Sequence, residues 1–339
     1  MRDVTVILFD DGYASTAIAP IEIFHSAGVL FAALNGGKLK PEFRVTTASI
    51  TGAAVKPPYG GMALQPQKSI DEIERTDLVI VPTSGIELDV KLDENSALLP
   101  WLRKQHAQGA YVAGVCMGAA YLAASGLLDG RTATTHWAVA EDFKRRWPKV
   151  NWRAENFVTE DARLLCSGGV CASMDISLYL VEKLCGHEIA VQTAKALLLN
   201  MPRTHQTGYA MLPLSPPHDD AKIRELEAYL QQHYRDPVSV EELADRAAMS
   251  ERTLIRRFKA ATGRLPVAYL QAVRMEAAKA MLERESVPVA TIAGAVGYDD
   301  VAFFRDLFKR ATGMAPNEYR ARFATLRVRQ AETHDLTAV

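Results

Sequence analysis

The chain has 339 residues, 48% of them hydrophobic, and its 39 lysines and arginines nearly balance 40 aspartates and glutamates. This length predicts about two domains, and the near-neutral charge excludes a histone-like polycation. With no run of about 18 apolar residues, no signal-peptide pattern and four scattered cysteines, we expect a cytoplasmic protein without a membrane span, metal or cofactor.

The neutral total conceals an uneven distribution of charge along the chain. Residues 1–249 carry a net charge of −6, whereas residues 250–329 carry +7. A basic stretch beside an acidic body indicates that the C-terminal part binds a polyanion.

The first 200 residues alternate strand-like and helical patterns. Strands are predicted at 4–9, 44–48, 77–82 and 110–115, and helices at 96–107, 119–124, 170–185 and 187–199, with another helix opening at Pro20. This alternation predicts an α/β flavodoxin-like domain, a parallel sheet with helices on both faces. Ligands of such folds bind at the carboxyl ends of the strands.

A change in composition separates this domain from the rest of the chain. Residues 201–220 contain four prolines and no periodicity, which predicts a linker. Residues 221–325 have a wholly helical pattern, and we expect a disordered tail at 326–339.

The helical part contains an internal repeat. The segment 258–269 recurs fifty residues later at 308–319, and seven of twelve positions are identical. Each copy follows a helix–turn–helix pattern, and Ser250 and Asp299 are the predicted N-caps of the two second helices.

Residues 266–284 are predicted to form one amphipathic helix between the two units. Its predicted buried face holds Val267, Leu270, Val273, Ala277, Ala280 and Met281. A helix of about 27 Å would bring the two units close to the ~34 Å between successive major grooves on one face of DNA. A solenoid is the alternative, but solenoids usually need at least three repeats. The pattern therefore predicts a DNA-binding module.

This stretch resembles the AraC-family DNA-binding domain over about residues 220–323. The resemblance rests on Leu243-Ala244, Met249-Ser250, Leu254, Arg256, Phe258 and Thr262-Gly263, then on Ile292-Ala293, Gly297-Tyr298, Phe304, Phe308, Thr312-Gly313, Pro316 and Tyr319. It implies that the second helix of each unit reads bases. The matching positions are Arg252, Thr253, Arg256, Val301, Ala302, Arg305 and Asp306, with Lys259, Lys309, Arg310 and Arg320 as candidate phosphate contacts.

Asp306 is unusual because that position is often basic in the family. Two interpretations stay open: its carboxylate accepts a hydrogen bond from cytosine, or it pairs with Arg305 or Arg310 and reads nothing. The second interpretation makes the second unit a positioning element more than a reader.

The first domain contains a cysteine elbow. Residues 114–118 have the form G-x-C-x-G at a strand-to-helix junction, where a nucleophile occupies a strained turn. The helix N-terminus lowers a thiol's pKa there and can bind an anion. This geometry suits both catalysis and ligand binding, and the alternative is a buried structural cysteine.

The domain resembles the class I glutamine amidotransferase-like, PfpI-type fold over about residues 3–190. The resemblance rests on the opening strand, residues 19–24, the elbow, residues 126–137, 167–170 and 174–182. It implies Cys116 as nucleophile, Glu22 as a nearby acid and His136 as the histidine. Met117 replaces the histidine that follows the cysteine in PfpI-type proteases, and this argues against turnover.

Together, the two resemblances match the GlxA-type transcriptional regulators. They imply an activator that binds double-stranded promoter DNA, forms a homodimer through the first domain, contacts RNA polymerase and responds to a small nitrogen-containing metabolite. The ligand-binding residues implied are Glu22, Ser84, Gly85, Cys116, Met117, His136, Trp137 and Ser167. The alternatives are a cysteine-dependent hydrolase or deglycase and an architectural DNA-binding protein without an effector.

Overall fold

The computed structural model describes residues 1–201, 203, 206–209 and 214–325. The chain divides into two compact units, Met1–Thr207 and Gly208–Val339. This division falls within the segment 201–220 that was predicted as a linker, and the tail predicted at 326–339 lies outside the described residues. No helix in the described ranges is long and apolar enough to cross a bilayer.

The first unit is built on a seven-stranded sheet with the order β3-β2-β1-β4-β5-β9-β8. Its pairs are parallel except the one between β8 and β9. A separate two-stranded sheet joins β6 and β7. The strands are β1 (Arg2–Ile7), β2 (Phe43–Ser49), β3 (Lys68–Ser69), β4 (Leu78–Val81), β5 (Tyr111–Val115), β6 (Thr132–Ala133), β7 (Asn151–Trp152), β8 (Val158–Asp161) and β9 (Leu164–Ser167).

Helices cover both faces of this sheet, as predicted for a flavodoxin-like fold. One apolar core contains Trp101 and Tyr121, and the other contains Phe24 and Ile176. The helices are α1 (Ser15–Ser26), α2 (Leu30–Leu34), α3 (Leu88–Glu94), α4 (Leu98–Ala107), α5 (Ala119–Ala124), α6 (Ala140–Arg146), α7 (Ala172–Cys185) and α8 (His187–Ala196).

The first helix begins earlier than predicted. Pro20 lies inside α1 rather than opening it. A proline is tolerated at its N1 position but removes a backbone hydrogen bond further into a helix. The apolar packing of this helix, with Ile23 and Phe24 almost fully buried, offsets that loss.

The second unit is helical throughout the described range. Its helices are α9 (Ala221–Gln232), α10 (Val240–Arg246), α11 (Glu251–Thr262), α12 (Pro266–Arg284), α13 (Val289–Ala295), α14 (Val301–Thr312) and α15 (Pro316–Phe323). The helices α10–α11 and α13–α14 form the two predicted helix–turn–helix units.

The sequence repeat corresponds to a repeat of local geometry. The hydroxyl groups of Thr262 and Thr312 each donate to the backbone oxygen four residues earlier at 2.8 Å. Gly263 and Gly313 then end the helices with φ values of 76° and 75°, a left-handed conformation that favours glycine. Each following helix begins at a proline. The same few residues therefore fold the same way twice.

The long helix α12 has the predicted bounds but not the predicted buried face. Leu270 and Val273 are buried in one core, and Met275 and Leu282 are buried in the other. Val267, predicted to be buried, is 53% exposed. The prediction of a single face was wrong because α12 packs against both helix–turn–helix cores along its length.

Two residues of the predicted linker are anchored in the first unit. Arg203 forms an ion pair with Asp175 at 2.6 Å, and its guanidinium lies 4.2 Å from the centre of the Phe157 ring. Gln206 is only 2% exposed, and its amide donates to Thr135 O at 2.8 Å. The start of the predicted linker is therefore part of the first unit.

Candidate functional site

The elbow cysteine has the strained geometry that its motif predicts. Cys116 follows β5 with a φ of 55°, in the left-handed region that non-glycine residues rarely adopt. A side chain at Gly118 would meet the backbone oxygen of Val81 at 2.1 Å, and one at Gly114 would meet Ala119 at 2.8 Å. The two glycines therefore allow the strand, the turn and the next helix to pack closely.

Burial acts against ionisation of the elbow thiol. Cys116 is 4% exposed, and this burial raises the pKa of its thiol, despite opposing hydrogen bonds with Thr83 and with the backbone groups of Met117 and Gly169. A raised pKa reduces the fraction of thiolate, the nucleophilic form. The elbow thus combines the backbone geometry of a nucleophile with a buried environment that favours the neutral thiol.

His136 is engaged by its own backbone. Its Nδ1 accepts a hydrogen bond from the Ala138 N–H at 3.1 Å, so the neutral ring carries its proton on Nε2. Burial lowers the pKa of His136, which keeps the ring neutral. Its ring centre lies 5.1 Å from that of Trp137. A general base needs an unprotonated ring nitrogen. In His136 that nitrogen, Nδ1, already accepts the hydrogen bond from Ala138.

The predicted acid lies elsewhere. Glu22 is exposed on α1 and is not among the groups that hydrogen bond to the thiol. The buried Thr16 hydroxyl accepts instead from the Thr83 N–H at 3.2 Å, and the Thr83 hydroxyl donates to Val115 O at 3.2 Å. Two threonines connect α1 to the elbow, and the expectation that Glu22 lies beside Cys116 was wrong.

The other predicted ligand-binding residues follow neighbouring strands at one edge of the sheet. Ser84 and Gly85 come after β4, and Met117, half-buried, comes after β5. Ser84 accepts a hydrogen bond from the Tyr121 hydroxyl at 2.7 Å, and burial raises the pKa of Tyr121 to about 12. Ser167 ends β9, and its fully buried hydroxyl has no partner within the described residues.

Sequence reasoning missed the residues that connect these segments. The Thr135 hydroxyl donates to Cys116 O at 3.0 Å, while Thr16, Thr83 and Gly169 surround the elbow as described above. A single threonine or glycine after a strand belongs to no recognisable sequence motif. Only the position of Thr83, shortly after β4, could have indicated that it lies near the elbow. In the described part of the chain, no group of three or more metal-ligating side chains is present, and the four cysteines are free.

In the second unit, α11 and α14 begin at capped turns. The Ser250 hydroxyl accepts from the Thr253 N–H at 3.4 Å, as predicted. The second cap is Asp300, whose carboxylate accepts from the Ala302 and Phe303 N–H groups. The assignment of Asp299 as the cap was wrong by one residue, because the turn after Gly297 is longer by that residue.

The cations predicted to contact DNA are exposed on these two helices. The side chains of Arg252, Arg256 and Lys259 on α11 form neither an ion pair nor a hydrogen bond with any described residue. Spacings of four and three residues put them on one face of the helix, opposite the buried Leu254 and Phe258. The face is therefore a free row of positive charge.

The equivalent face of α14 has a different composition. Fifty residues on, the positions hold Ala302, Asp306 and Lys309, with Arg305 and Arg310 also exposed. Asp306 makes no ion pair with a described residue. The interpretation that Asp306 pairs with Arg305 or Arg310 is thus not supported by the geometry.

Other basic side chains of this unit are used inside it. Arg257 donates to the Asp220 carboxylate at 2.7 Å, and Arg274 donates to the backbone oxygens of Tyr234 and Gly297 at 2.7 and 3.1 Å. Arg320 is 5% exposed and donates to Val287 O. The expectation that Arg320 contacts phosphate was wrong, because its guanidinium is buried.

Comparison with known families agrees with both units. A family model described as the DJ-1/PfpI family matches residues 2–183. The chain belongs to the DJ-1/PfpI family. A second model, described as a helix-turn-helix domain, matches residues 243–322. The DJ-1/PfpI domain is thus followed by an AraC-type helix–turn–helix domain.

Regulators share this arrangement over most of their length. The HTH-type transcriptional regulator CdhR of Pseudomonas aeruginosa is 27% identical over 263 residues, which cover 77% of each chain. The HTH-type transcriptional regulator GlxA of Rhizobium meliloti is 28% identical over 234 residues, covering 68% of this chain and 71% of its own. This DJ-1/PfpI-family chain therefore has the architecture of DNA-binding transcription regulators.

An enzyme is similar to a shorter part of the chain. Isonitrile hydratase of Pseudomonas putida is 33% identical over 142 residues, covering 42% of this chain and 58% of its own. The relatives of this chain thus include an enzyme as well as regulators.

Proposed function

We propose that this chain is a sequence-specific DNA-binding activator of transcription, controlled by a small nitrogen-containing metabolite bound in its DJ-1/PfpI domain. It acts as a homodimer through that domain and contacts RNA polymerase at the promoter. The observation that carries the proposal is the row of free cations on α11 and α14, which we call the reader helices.

The charge of the reader helices supports DNA as the partner. Phosphate contacts supply most of the affinity for DNA, and arginines such as Arg252 and Arg256 can bind guanine through two hydrogen bonds. The proposed base-reading residues are Arg252, Thr253, Arg256, Val301, Ala302, Arg305 and Asp306, and the proposed phosphate contacts are Lys259, Lys309 and Arg310.

The position of the elbow, at the carboxyl ends of the strands, supports a ligand site in the first domain. Ligands of open α/β sheets bind outside the carboxyl ends of the strands. The proposed ligand-binding residues there are Ser84, Gly85, Cys116, Met117, His136, Trp137 and Ser167. We leave Glu22 out because it is exposed on α1.

A cysteine-dependent hydrolase is the second candidate, and the strained φ of Cys116 and the isonitrile hydratase relative favour it. Against it, burial raises the pKa of the thiol and His136 Nδ1 is occupied. A nucleophile without a positioned base is a weak catalyst. We therefore propose a domain that binds its ligand without turnover.

Replacing Cys116 by Ala separates the two candidates. DNA sites are first enriched from a random duplex library with the full chain, and the Cys116→Ala variant is then titrated onto the best site by fluorescence anisotropy. We expect unchanged specific affinity for DNA and a transcriptional response in a reporter that persists, weakened at most by the loss of one of the seven proposed ligand contacts. Loss of the reporter response with intact DNA binding would instead assign a chemical role to the thiol.

A further inference from the structure

A crevice of about 400 Å³ lies at the carboxyl ends of β1 and β4, and Gly85 is the one residue of its lining that the sequence indicated. It is lined by Asp11 and Tyr13 from the loop after β1, and by Gly85 and Ile86 from the loop after β4. In the sheet, β1 lies between β2 and β4, so the order of the strands reverses between β1 and β4. This is the topological switch point, where ligands of open α/β sheets bind.

The crevice gathers exposed apolar side chains. Tyr13, Ile86 and Val90 line it and are 39%, 78% and 47% exposed. Single exposed hydrophobic residues are common on protein surfaces, but several around one concavity indicate a binding surface. These three side chains can therefore contact the apolar part of a ligand.

The charges of the crevice favour a positively charged ligand. Lys91 has a side chain only 10% exposed, and its ammonium contacts the carboxylates of Asp11 at 2.8 Å and Glu94 at 2.9 Å. Glu87 also lines the crevice and has no ion pair within the described residues. Three carboxylates against one ammonium leave a net negative lining.

The ammonium of Lys91 stays charged and so does not reverse this balance. Burial acts to lower the pKa of Lys91, but the hydrogen bonds with Asp11 and Glu94 outweigh it and raise the pKa. The lysine is a fixed internal partner that holds α3 against the loop after β1.

Gly85 keeps the floor of the crevice open. Its φ is 108°, and a side chain there would contact Asp11 O at 3.3 Å and Lys91 Cε at 3.5 Å. At the side, the Tyr59 hydroxyl accepts from the Ala14 N–H at 2.8 Å and fixes the loop after β1. The crevice is thus a formed feature of the loops.

We propose that this switch-point crevice binds a small organic cation, with its ammonium against Glu87 and Glu94 and its apolar part against Tyr13, Ile86 and Val90. The crevice shares Gly85 with the ligand-binding residues proposed above and extends that site away from the elbow. The inference rests on the proposed function only in giving this cation the role of effector. The binding itself concerns the first unit alone.

Three probes of similar size and different charge test the ligand class. Isothermal titration calorimetry with the full chain compares phenethylammonium, 3-phenylpropionate and 2-phenylethanol. We expect phenethylammonium to bind at one equivalent and about tenfold more tightly than the other two, the gain from one charge-assisted hydrogen bond. Equal or tighter binding of the anion, or no binding of any probe, would overturn the proposal.

Two matched variants locate the site. Glu87 makes no capping hydrogen bond to α3, so Glu87→Gln leaves the fold intact and should weaken phenethylammonium binding about tenfold. Asp93→Asn, an exposed position on α3 outside the crevice, should bind like the wild type. Equal affinities of Glu87→Gln and the wild type would overturn the assignment.

DNA binding is measured separately on the same samples. If phenethylammonium binds as expected but the chain does not bind DNA, cation binding in the crevice is supported and the proposed function as a DNA-binding regulator is wrong. If an anion changes DNA affinity and the cation does not bind, the regulator stands and the crevice proposal fails.

Discussion

Arg256 and Asp306 occupy equivalent positions of the two reader helices. Each lies two residues before a fully buried phenylalanine, Phe258 or Phe308, and each is exposed without an ion pair in the described part of the chain. The two helices therefore present opposite charges at the same place. If the chain reads DNA as proposed, Arg256 on α11 favours guanine, whereas Asp306 on α14 can accept a hydrogen bond from cytosine.

Replacing Asp306 by Arg tests whether this position faces DNA. The change removes a charge that repels phosphate and adds one that attracts it, so we expect tighter binding to DNA. The slope of log K against log salt should steepen by about 0.9 for one added phosphate contact. Anisotropy titrations at several salt concentrations measure both quantities.

A change of the same charge elsewhere is the control. Glu225 is exposed on α9, outside the reader helices, and Glu225→Arg should leave the slope close to that of the wild type. If Asp306→Arg gives the same slope as Glu225→Arg, Asp306 does not face the groove.

At the residue level, motifs predicted the strained elbow and the buried phenylalanines of the two repeats, while the contacts of the reader positions with DNA stay a prediction. Glu22 was assigned beside the thiol because the sequence does not show which face of α1 meets the sheet. His136 was predicted as a candidate base because the sequence does not show that its Nδ1 accepts a hydrogen bond from the Ala138 N–H. Such partners depend on tertiary packing that no local pattern records.

At the level of elements, the strongest predictions came from glycine and proline residues at helix ends and from the repeat. Helix α5 and helix α12 have the predicted bounds, since glycine turns or Pro266 delimit them. Strands such as β3 and β6 were missed because two residues carry no alternation. The buried face of α12 was misjudged because it packs against two cores, which blurs the apolar stripe.

The segment after α8 was predicted as a linker because its composition is rich in proline. Its residue Gln206 nevertheless donates its amide to the backbone oxygens of Thr135 and Asn156 at 2.8 and 3.1 Å. A side chain at Gly168 would meet this amide at 2.4 Å. Gln206 therefore closes a notch formed by the loop after β6 and the glycines after β9.

We expect Gln206→Ala to destabilise the first unit by about 1–3 kcal/mol, because the buried Thr135 O loses its donor at 2.8 Å while the single proton of the Thr134 hydroxyl serves Asn156 O at 3.0 Å. All four tryptophans lie in residues 101–152, so tryptophan fluorescence during urea unfolding of the full chain reports on this unit. Gln108→Ala, at an exposed position after α4 whose side chain makes no hydrogen bond with a described residue, should change the free energy of unfolding by less than about 0.5 kcal/mol. Equal effects of the two substitutions on the free energy of unfolding would mean that the hydrogen bonds of Gln206 do not stabilise the first unit.

At the scale of the whole molecule, the two units divide the charge of the chain. The net charge of −1 combines an acidic first part with a surplus of seven positive charges in residues 250–329. Part of that surplus, including Arg257, Arg274 and Arg320, is used inside the second unit. Six exposed cations without an ion pair in the described part of the chain lie on the reader helices, namely Arg252, Arg256, Lys259, Arg305, Lys309 and Arg310. This concentration of free charge is what the proposed regulator requires.

The most direct test of the account is the effect of Arg256 on sequence preference. Sites are enriched from a random duplex library with the full chain, with Arg256→Ala, and with Arg224→Ala, which removes an exposed cation of α9. We predict a wild-type motif with two blocks of specified bases about one helical turn apart. In Arg256→Ala one base position should relax, with a loss of about 1–3 kcal/mol on the wild-type site, while Arg224→Ala keeps the motif. Enrichment of no motif, or the same motif and affinity in Arg256→Ala, would contradict the account.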